Sequence, residues 1–365
     1  MSSNLNAICP YFTMFPLDYP DGILDGLKDT ENPLVMDPFC GRGTTLFSAR
    51  THGMRAIGVD ISPVACAITE SKMSNATPEG IVELANYILS VPTDFDIPVG
   101  EFWSMMYRPE VLKDICHIRQ YLIDNHDSDE EKALRGVMLG ALHGGLNKGE
   151  PSYFSNQYPR TYASKPDYAI RFWKNKGYEA PFVDVISIIK RRSVRYYSDN
   201  LSHVPSTILC ADSSANSTFD QLRGFSDNGV DVIVTSPPYY GMNTYIPDQW
   251  IRNWFVGGSS EVTYGIDGQI SSGGKSRFVD KLRHVWKRCR DISKDSASLH
   301  IRFGAINSIE SNPEEIVRRT LEDTDWSIVD ISSAGLPSYN SRQANSFVKD
   351  LKSHKVELDV SCVAI

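Results

Sequence analysis

The seven cysteines of this sequence stand singly, at Cys9, Cys40, Cys66, Cys116, Cys210, Cys289 and Cys362, and no two form a Cys-x-x-Cys pair. That absence argues against a zinc site and a disulfide framework, and for free thiols in a reducing compartment. No apolar run approaches the ~20 residues that a bilayer span needs. The opening MSSNLNAICPYF lacks the basic and apolar regions of a secretory signal. Internal repeats and low-complexity tracts are missing as well. The expectation is a cytoplasmic globular protein with no metal and no membrane partner.

What is present is ample material for a core. With 365 residues, 41% hydrophobic and 22% charged, the chain can form one large domain or two ordinary ones. Its net charge of −8 speaks at first against a nucleic-acid partner. The distribution says otherwise: from His143 to Tyr197 ten Lys or Arg face four acidic residues, so this segment is +6 while the rest sums to −14.

NPLVMDPFCGRGTTLFSARTHG reads as a short buried strand from Leu34 to Asp37, a glycine turn, and a helix beginning near Thr44 or Thr45. RAIGVDISPVACAITESKM gives a second strand ending at Asp60 and a helix opening at Ser62-Pro63, a capping serine followed by a first-turn proline. Strand, helix and strand at this spacing form a βαβ unit, which predicts a doubly wound, parallel α/β sheet. From about Thr77 to Val204 the period changes to 3.6 residues, as in GIVELANYILS and FVDVISIIKRRSVRYYSD. Strand signals return in STILCADSS, DVIVTSPPYY, ASLHIRFGAI, WSIVDISSAG and VELDVSCVAI. One sheet, interrupted after its second strand by a large helical insert, accounts for this order. The catalytic domain is then 1–75 with 204–365, and the insert is 76–203. Residues 256–276, rich in Gly and Ser, are expected to be a mobile loop.

Four short stretches carry the chemistry. In DPFCGRGTT, Gly41 and Gly43 let the backbone turn sharply and approach a ligand in front of a helix N-terminus. Asp60, seventeen residues beyond Gly43 at the tip of the next strand, can accept both hydroxyls of a ribose, or can merely cap the helix after it. Asp212 in ILCADSSA also ends a strand and can accept from the amine of an adenine, or can serve as a surface turn. TSPPYY ends its strand in a rigid, aromatic corner that folding alone does not demand.

Taken in order, DPFCGRGTT, GVDIS, CADSS and TSPPYY resemble the S-adenosylmethionine-dependent amino-methyltransferases of DNA. The SPPY form is similar to the branch that methylates cytosine at N4. MFPLDYPDGIL (Met14 to Leu24) resembles the segment that lies over the methionine part of the cofactor. The resemblance implies a Rossmann-like methyltransferase sheet, mostly parallel with the last strand antiparallel. It implies S-adenosylmethionine held by Phe15, Asp37, Pro38, Phe39, Gly41, Gly43, Thr44, Thr45, Asp60, Ile61, Asp212 and Ser213. Catalysis falls to Ser236, Pro237, Pro238 and Tyr239. Cytosine's amine is a poor nucleophile because its lone pair is delocalised into the ring. The Ser236 hydroxyl and the Pro237 carbonyl can accept from it, and prolines remove a competing N–H donor. Tyr239 would stack on a base taken out of the duplex. The role of Tyr240 stays open. The Pro-Cys dipeptide of C5-cytosine methyltransferases is absent, Cys9-Pro10 running the wrong way round.

The insert matches no named recognition module, and its basic and aromatic residues suit DNA. Asn156, Gln157 and Arg160 are candidate base readers, and Lys190, Arg191 and Arg192 a candidate phosphate clamp. An ordinary helical subdomain with a basic face is the alternative. Arg171-Phe172-Trp173 reads as core packing rather than base stacking. Arg342 and Gln343, in the polar YNSRQANSF, are further candidate DNA contacts. The cofactor segment here precedes SPPY, whereas many N4-cytosine enzymes have the reverse order, so recognition positions do not transfer. The expected activity is site-specific DNA N4-cytosine methylation in a prokaryotic or phage setting, with a cognate restriction endonuclease or defence-system protein as a further partner. The competing readings are adenine-N6 methylation, an RNA methyltransferase, and a non-catalytic DNA-binding protein on the same fold.

Overall fold

The computed structural model describes residues 4–11, 15–145, 151–155, 162–226, 228–240, 246–263, 274–304, 312–334 and 357–365. They fall into two compact units: a sheet unit (12–69, 202–244 and 266–365) and a helical unit (1–11, 70–201 and 245–265).

Among the described residues the sheet unit holds seven strands: β1 (Leu34–Asp37), β2 (Arg55–Asp60), β3 (Ser206–Cys210), β4 (Val230–Thr235), β5 (Ser293–Gly304), β6 (Trp326–Ser333) and β7 (Glu357–Ala364). Their order is β3-β2-β1-β4-β5-β7-β6, parallel from β3 to β5 and antiparallel where β7 pairs with β5 and β6. This is the expected Rossmann-like methyltransferase sheet, reversed last strand included. β1 is buried along its whole length because helices cover both faces of a parallel sheet, so Leu-Val-Met-Asp needs no alternation. Register is fixed at the far edge by Asp231, which accepts from the Leu34 N–H at 2.8 Å and from Lys294 Nζ at 2.7 Å, joining β1, β4 and β5.

Met36, Ile57, Val59, Ile233, Leu299, Ile301 and Phe303 belong to one buried cluster with the helices Lys275–Asp291 and Pro313–Leu321. Trp286 is its hub. Fully buried, it donates from Nε1 to Thr320 Oγ1 at 3.1 Å, and its carbonyl accepts from Trp326 Nε1 at 3.0 Å. Phe39 of the glycine turn meets it edge-on, with ring centroids 6.1 Å apart. The opposite face is covered by the helix Thr44–Thr51, whose residues are buried up to Arg50.

The helical unit is wider than the expected insert. It recruits the N-terminal segment and residues 245–265 because buried cations bind their carbonyls and amides. Lys72 Nζ donates to Asn6 Oδ1 at 2.8 Å and Arg192 Nη2 to the Ile8 carbonyl at 2.8 Å. Arg252, fully buried, donates to the Leu139 carbonyl and to Gln249 Oε1. Phe102, Trp103, Trp173, Trp250 and Trp254 form an aromatic core with centroids 4.5–5.5 Å apart. Its helices begin at real caps: Thr77 accepts from the Gly80 N–H, Asp184 from the Ser187 N–H, and Ser128 forms a capping box with Glu131. Among the described residues no helix is long and apolar enough to cross a membrane.

Truncating the hub of the sheet unit leaves a cavity and removes the hydrogen bond to Thr320, while the bond from Trp326 to the backbone carbonyl survives. Trp286→Ala is expected to lower the unfolding free energy by about 3–5 kcal/mol. Urea titration followed by far-ultraviolet circular dichroism measures this, and a loss below about 1 kcal/mol would remove Trp286 from that role.

Candidate active site

Strand order alone lines up the ends of β3, β2, β1 and β4 along one edge of the sheet, and each end carries a polar residue. Asp212 follows β3, Asp60 ends β2, Asp37 ends β1 and Ser236 follows β4. Parallel strands that end together in a doubly wound sheet open a crevice there.

Asp37 is the buried centre of the row. Its Oδ1 accepts from Thr235 Oγ1 at 2.6 Å and from the Phe39 N–H at 3.0 Å, and its Oδ2 accepts from Thr45 Oγ1 at 2.8 Å. Thr45 Oγ1 also lies 3.0 Å from the Val234 carbonyl. One carboxylate thus joins the DPF turn, the start of the following helix and the last residue of β4. Burial pushes its pKa up to about 6, against the lowering pull of the three hydrogen bonds. The side-chain oxygens of Asp37 and Thr45, both expected at the cofactor, are also engaged in this scaffold.

The glycine turn is built for close approach. Gly43, at φ +74°, precedes the helix, and a Cβ there would stand 2.7 Å from the Thr69 side chain. A Cβ on Gly41 would meet nothing within 4 Å, so open space lies beside that residue. The Gly41 N–H donates to Asp60 Oδ2 at 2.9 Å, and its carbonyl accepts from Thr69 Oγ1 at 3.0 Å. Asp60 Oδ1 accepts from the Ser62 N–H at 2.8 Å, and burial raises the pKa of this carboxyl too. Asp60 thus holds the two turns on either side of it, and each of its oxygens keeps a second lone pair. Ile61 next to it is 48% exposed, an apolar surface beside this carboxylate. Thr44 and Pro38 are buried in the turn; Phe39 is partly covered by Trp286.

Asp212 folds back on its own turn, Oδ1 accepting from the Ser214 N–H at 2.8 Å and from Ser214 Oγ at 2.7 Å. Ser213 Oγ donates to the Pro38 carbonyl, which ties the β3 turn to the DPF turn.

In the proline corner Pro237 is buried, whereas Ser236, Pro238, Tyr239 and Tyr240 are partly exposed. The Tyr239 hydroxyl donates to Glu357 Oε1 at 3.2 Å, and its ring meets Phe303 edge-on at 5.7 Å. Burial and the Glu357 carboxylate both push the pKa of that hydroxyl up, so it stays a donor. Tyr240, left open by the sequence, packs on Phe278 at 5.4 Å. Phe15 lies edge-on to Tyr19 at 5.4 Å, and the Arg302 guanidinium sits 3.9 Å from the centre of the Tyr19 ring. Arg302 in turn makes two 2.7 Å bonds to Asp359.

Tyr19, Arg302, Glu357 and Asp359 were missed by sequence reasoning. The signals were that Tyr19 lies within MFPLDYPDGIL and that charge alternates in VELDV, which puts Glu357 and Asp359 on one face of β7.

The proposed phosphate clamp also changes. Lys190 is exposed, but Arg191 donates to the Pro151 carbonyl, and Arg192 is buried between Ile8 and the rings of Tyr153 and Tyr196. A guanidinium enclosed and bonded to a carbonyl cannot reach a phosphate, so Arg192 is structural. Trp173 is core, as read, while Phe172 is 39% exposed. Asn156, Gln157, Arg160, Arg342 and Gln343 lie outside the described residues, as do residues 264–273 of the Gly/Ser loop.

With this geometry in place, the comparisons with known proteins take on meaning. Residues 3–71 match the N6/N4 methylase family described as DNA methylase. The chain is 25% identical over 245 residues to Type II methyltransferase M.MvaI of Kocuria varians, covering 60% of this chain and 50% of that protein. It is 32% identical over 68 residues to Type II methyltransferase M.MjaII of Methanocaldococcus jannaschii, covering 19% and 13%. The match thus spans half the length of the Kocuria protein. Among solved structures, the rRNA methyltransferase aviRa of Streptomyces viridochromogenes aligns over 99% of this chain and 93% of its own, at 11% identity. Its TM-score of 0.37 is too low to carry an argument. The sequence matches bear out the resemblance to the DNA amino-methyltransferase family.

The buried Asp37 carboxyl sets a pH dependence. Its folded pKa of about 6 lies above the ordinary 3.8, so between those values the folded chain holds a proton that the unfolded chain has lost. The stability it contributes therefore falls as pH rises from about 4 to about 6. Asp37→Asn removes this titration. Relative to the wild type, the variant should gain up to about 3 kcal/mol between pH 4 and pH 7. Denaturant titrations at several pH values read this directly, and a constant difference would show that Asp37 does not titrate in that window.

Proposed function

We propose that the protein is a DNA methyltransferase that moves a methyl group from S-adenosylmethionine to the N4 amine of a cytosine displaced from the duplex. The observation that carries this reading is the shared carboxylate. Asp37 is bonded to Thr235, directly before Ser236, and to Phe39 in the glycine turn, so the acceptor corner and the cofactor turn are held by one group.

The residues present fit the cofactor. Asp60 keeps acceptor capacity for a ribose, Ile61 offers an apolar face to a purine, and open space lies where a Gly41 Cβ would be. Asp212 and Ser213 bound the adenine side, and Phe15 lies in the segment assigned to the methionine part. When bound, S-adenosylmethionine supplies an electrophilic methyl group on a sulfonium. The chain's own work is to prepare the nucleophile. Ser236 Oγ and the Pro237 carbonyl accept hydrogen bonds from the amine, which draws its lone pair out of the ring. Pro237 and Pro238 lack N–H groups that would compete for those acceptors. Tyr239, fixed through its hydroxyl and its edge, stacks on the base and sets the angle of approach. Direct transfer in this geometry requires no covalent link to the protein.

Methylation of adenine at N6 is the second reading, because the family matched spans N6 and N4 enzymes alike. The bacterial and archaeal relatives are Type II methyltransferases, which supports a cytoplasmic prokaryotic setting and a cognate restriction endonuclease or defence-system protein as partner. Lys190 is the described residue of the clamp that remains available for a backbone phosphate.

Nucleoside mass spectrometry of unmethylated plasmid treated with the protein and S-adenosylmethionine should show N4-methylcytosine. N6-methyladenine alone would reverse the choice of base, and methyl incorporation only into structured RNA would reverse the choice of nucleic acid.

Tyr239 provides a separate test through a residue that touches no substrate. A Cβ on Gly304 would stand 2.7 Å from Tyr239 Cε2 and must displace the ring. Gly304→Ala is expected to slow methylation by roughly 10²-fold, the order at stake when a positioned group shifts by about an ångström. Calorimetric affinity for S-adenosylmethionine should stay near that of the wild type. Equal loss of cofactor binding would place Tyr239 on the cofactor instead.

A further inference from the structure

The helix Lys275–Asp291 carries Arg277, Lys281, His284 and Arg288 at spacings of four, three and four residues, which sets them along one face. At 1.5 Å per residue the stripe is about 16 Å long. Arg277, Lys281 and His284, with Asp280 and Ser214, line a cleft of ≈ 390 Å³ beside the turn after β3.

The turn organises these cations. Asn216 Oδ1 accepts from His284 Nε2 at 3.0 Å and from Arg288 Nε and Nη2 at 2.9 and 2.7 Å. Asp280, the one carboxylate among the described lining residues, lies 3.0 Å from Arg283 Nη1, and Arg283 also meets Glu322 at 3.2 Å. Arg288 is further matched by Asp291 at 3.0 Å. Arg277 is exposed at the mouth, and Lys281 and His284 are half-buried in the wall. Arg277 and Lys281 against Asp280 give the described lining a net charge of +1, with His284 beside them, in a chain of net charge −8.

The proposed cofactor does not account for it. The adenosine end of S-adenosylmethionine, assigned to the Asp212 turn, carries no anionic group for these cations to neutralise. The matching chemistry is a phosphodiester: each strand of duplex DNA presents one negative charge per ~3.4 Å of axis, so a stripe of this length meets several.

We propose that the cleft between the Asp212–Asn216 turn and the helix Lys275–Asp291 binds backbone phosphates of the DNA substrate, with Arg277 and Lys281 as the principal donors. The inference rests on the reading of the protein as a DNA methyltransferase. It adds a phosphate site on the sheet unit, which carries the catalytic corner, to the one sought in the helical unit. Being sequence-independent, such a site sets register and affinity and leaves base choice to other residues.

The test uses the full chain, a fluorescein-labelled 30-base-pair duplex and anisotropy across a series of NaCl concentrations. The Arg277→Ala/Lys281→Ala variant should bind more weakly, and the slope of log affinity against log salt should become shallower by about 1–2. Its melting temperature and its affinity for S-adenosylmethionine should match the wild type. Lys287→Ala, on the same helix but outside the cleft lining, should leave the slope unchanged. A wild-type slope in the double variant overturns the proposal, as does an equal effect of Lys287→Ala or a loss confined to cofactor affinity. An effect limited to a single-stranded RNA of equal length also overturns it. A wild-type protein that binds no duplex at all overturns the parent reading along with it.

Discussion

A buried carboxylate at the end of β1 is the constraint around which the site is arranged. Asp37 is expensive to place there, as its raised pKa shows. Three short hydrogen bonds offset much of that cost, and each reaches a different piece of chain: the glycine turn, the helix after it and the end of β4. None of these segments could drift without leaving a buried acceptor unsatisfied. A proline corner is stiff within itself but has no intrinsic position relative to a neighbouring strand. Asp37 supplies that position, and in the proposed reaction preorganisation of this kind would let the acceptors at Ser236 and Pro237 act without rearranging when charge develops.

Charge in the molecule is divided between structural and surface uses in a way that counting cannot reveal. The run Lys190-Arg191-Arg192 looks uniform in sequence, yet helical geometry turns successive side chains by about 100°. Lys190 faces water, Arg191 reaches a loop carbonyl, and Arg192 points inward to the Ile8 carbonyl. Lys72 and Arg252 are likewise enclosed, each satisfied by oxygens of its own unit. Cations of the helical unit thus hold distant chain segments together, whereas the helix Lys275–Asp291 of the sheet unit presents its stripe at a cleft.

The sheet was legible because its signals are local. Most strands begin and end close to where hydrophobic runs and turn residues placed them, though β5 starts at Ser293, four residues before ASLHIRFGAI; β1, β2 and β4 each end in a polar residue or a proline corner that sequence displays openly. The glycine turn was legible for the same reason: Gly43 needs a positive φ and close passage by Thr69, both tied to glycine itself. What stayed hidden is non-local. The Tyr239–Glu357 bond joins residues 118 positions apart, and the Thr235–Asp37 bond 198. Nothing in DPFCGRG announces that Asp37 also accepts from a threonine on another strand. The helical unit's recruitment of residues 245–265 was equally invisible, since it depends on the buried Arg252 and on Trp250 and Trp254 packing against Phe102 and Trp103.

The reversed strand explains why the hidden residues gather where they do. In a parallel sheet, only residues at the carboxyl ends of strands reach the crevice, so the start of a strand contributes to the opposite edge. β7 runs antiparallel to β5, pairing Glu357 with Gly304 and Asp359 with Arg302. Its first residues therefore arrive at the same edge as the last residues of β5. That reversal delivers Glu357 to the Tyr239 hydroxyl and Asp359 to the guanidinium over Tyr19. Gly304 completes the arrangement, because any side chain opposite Glu357 would occupy the place of the tyrosine ring. A feature of topology, one strand inserted backwards, thus puts two carboxylates beside the aromatic corner, where a parallel strand of the same sequence would have put them a sheet's length away.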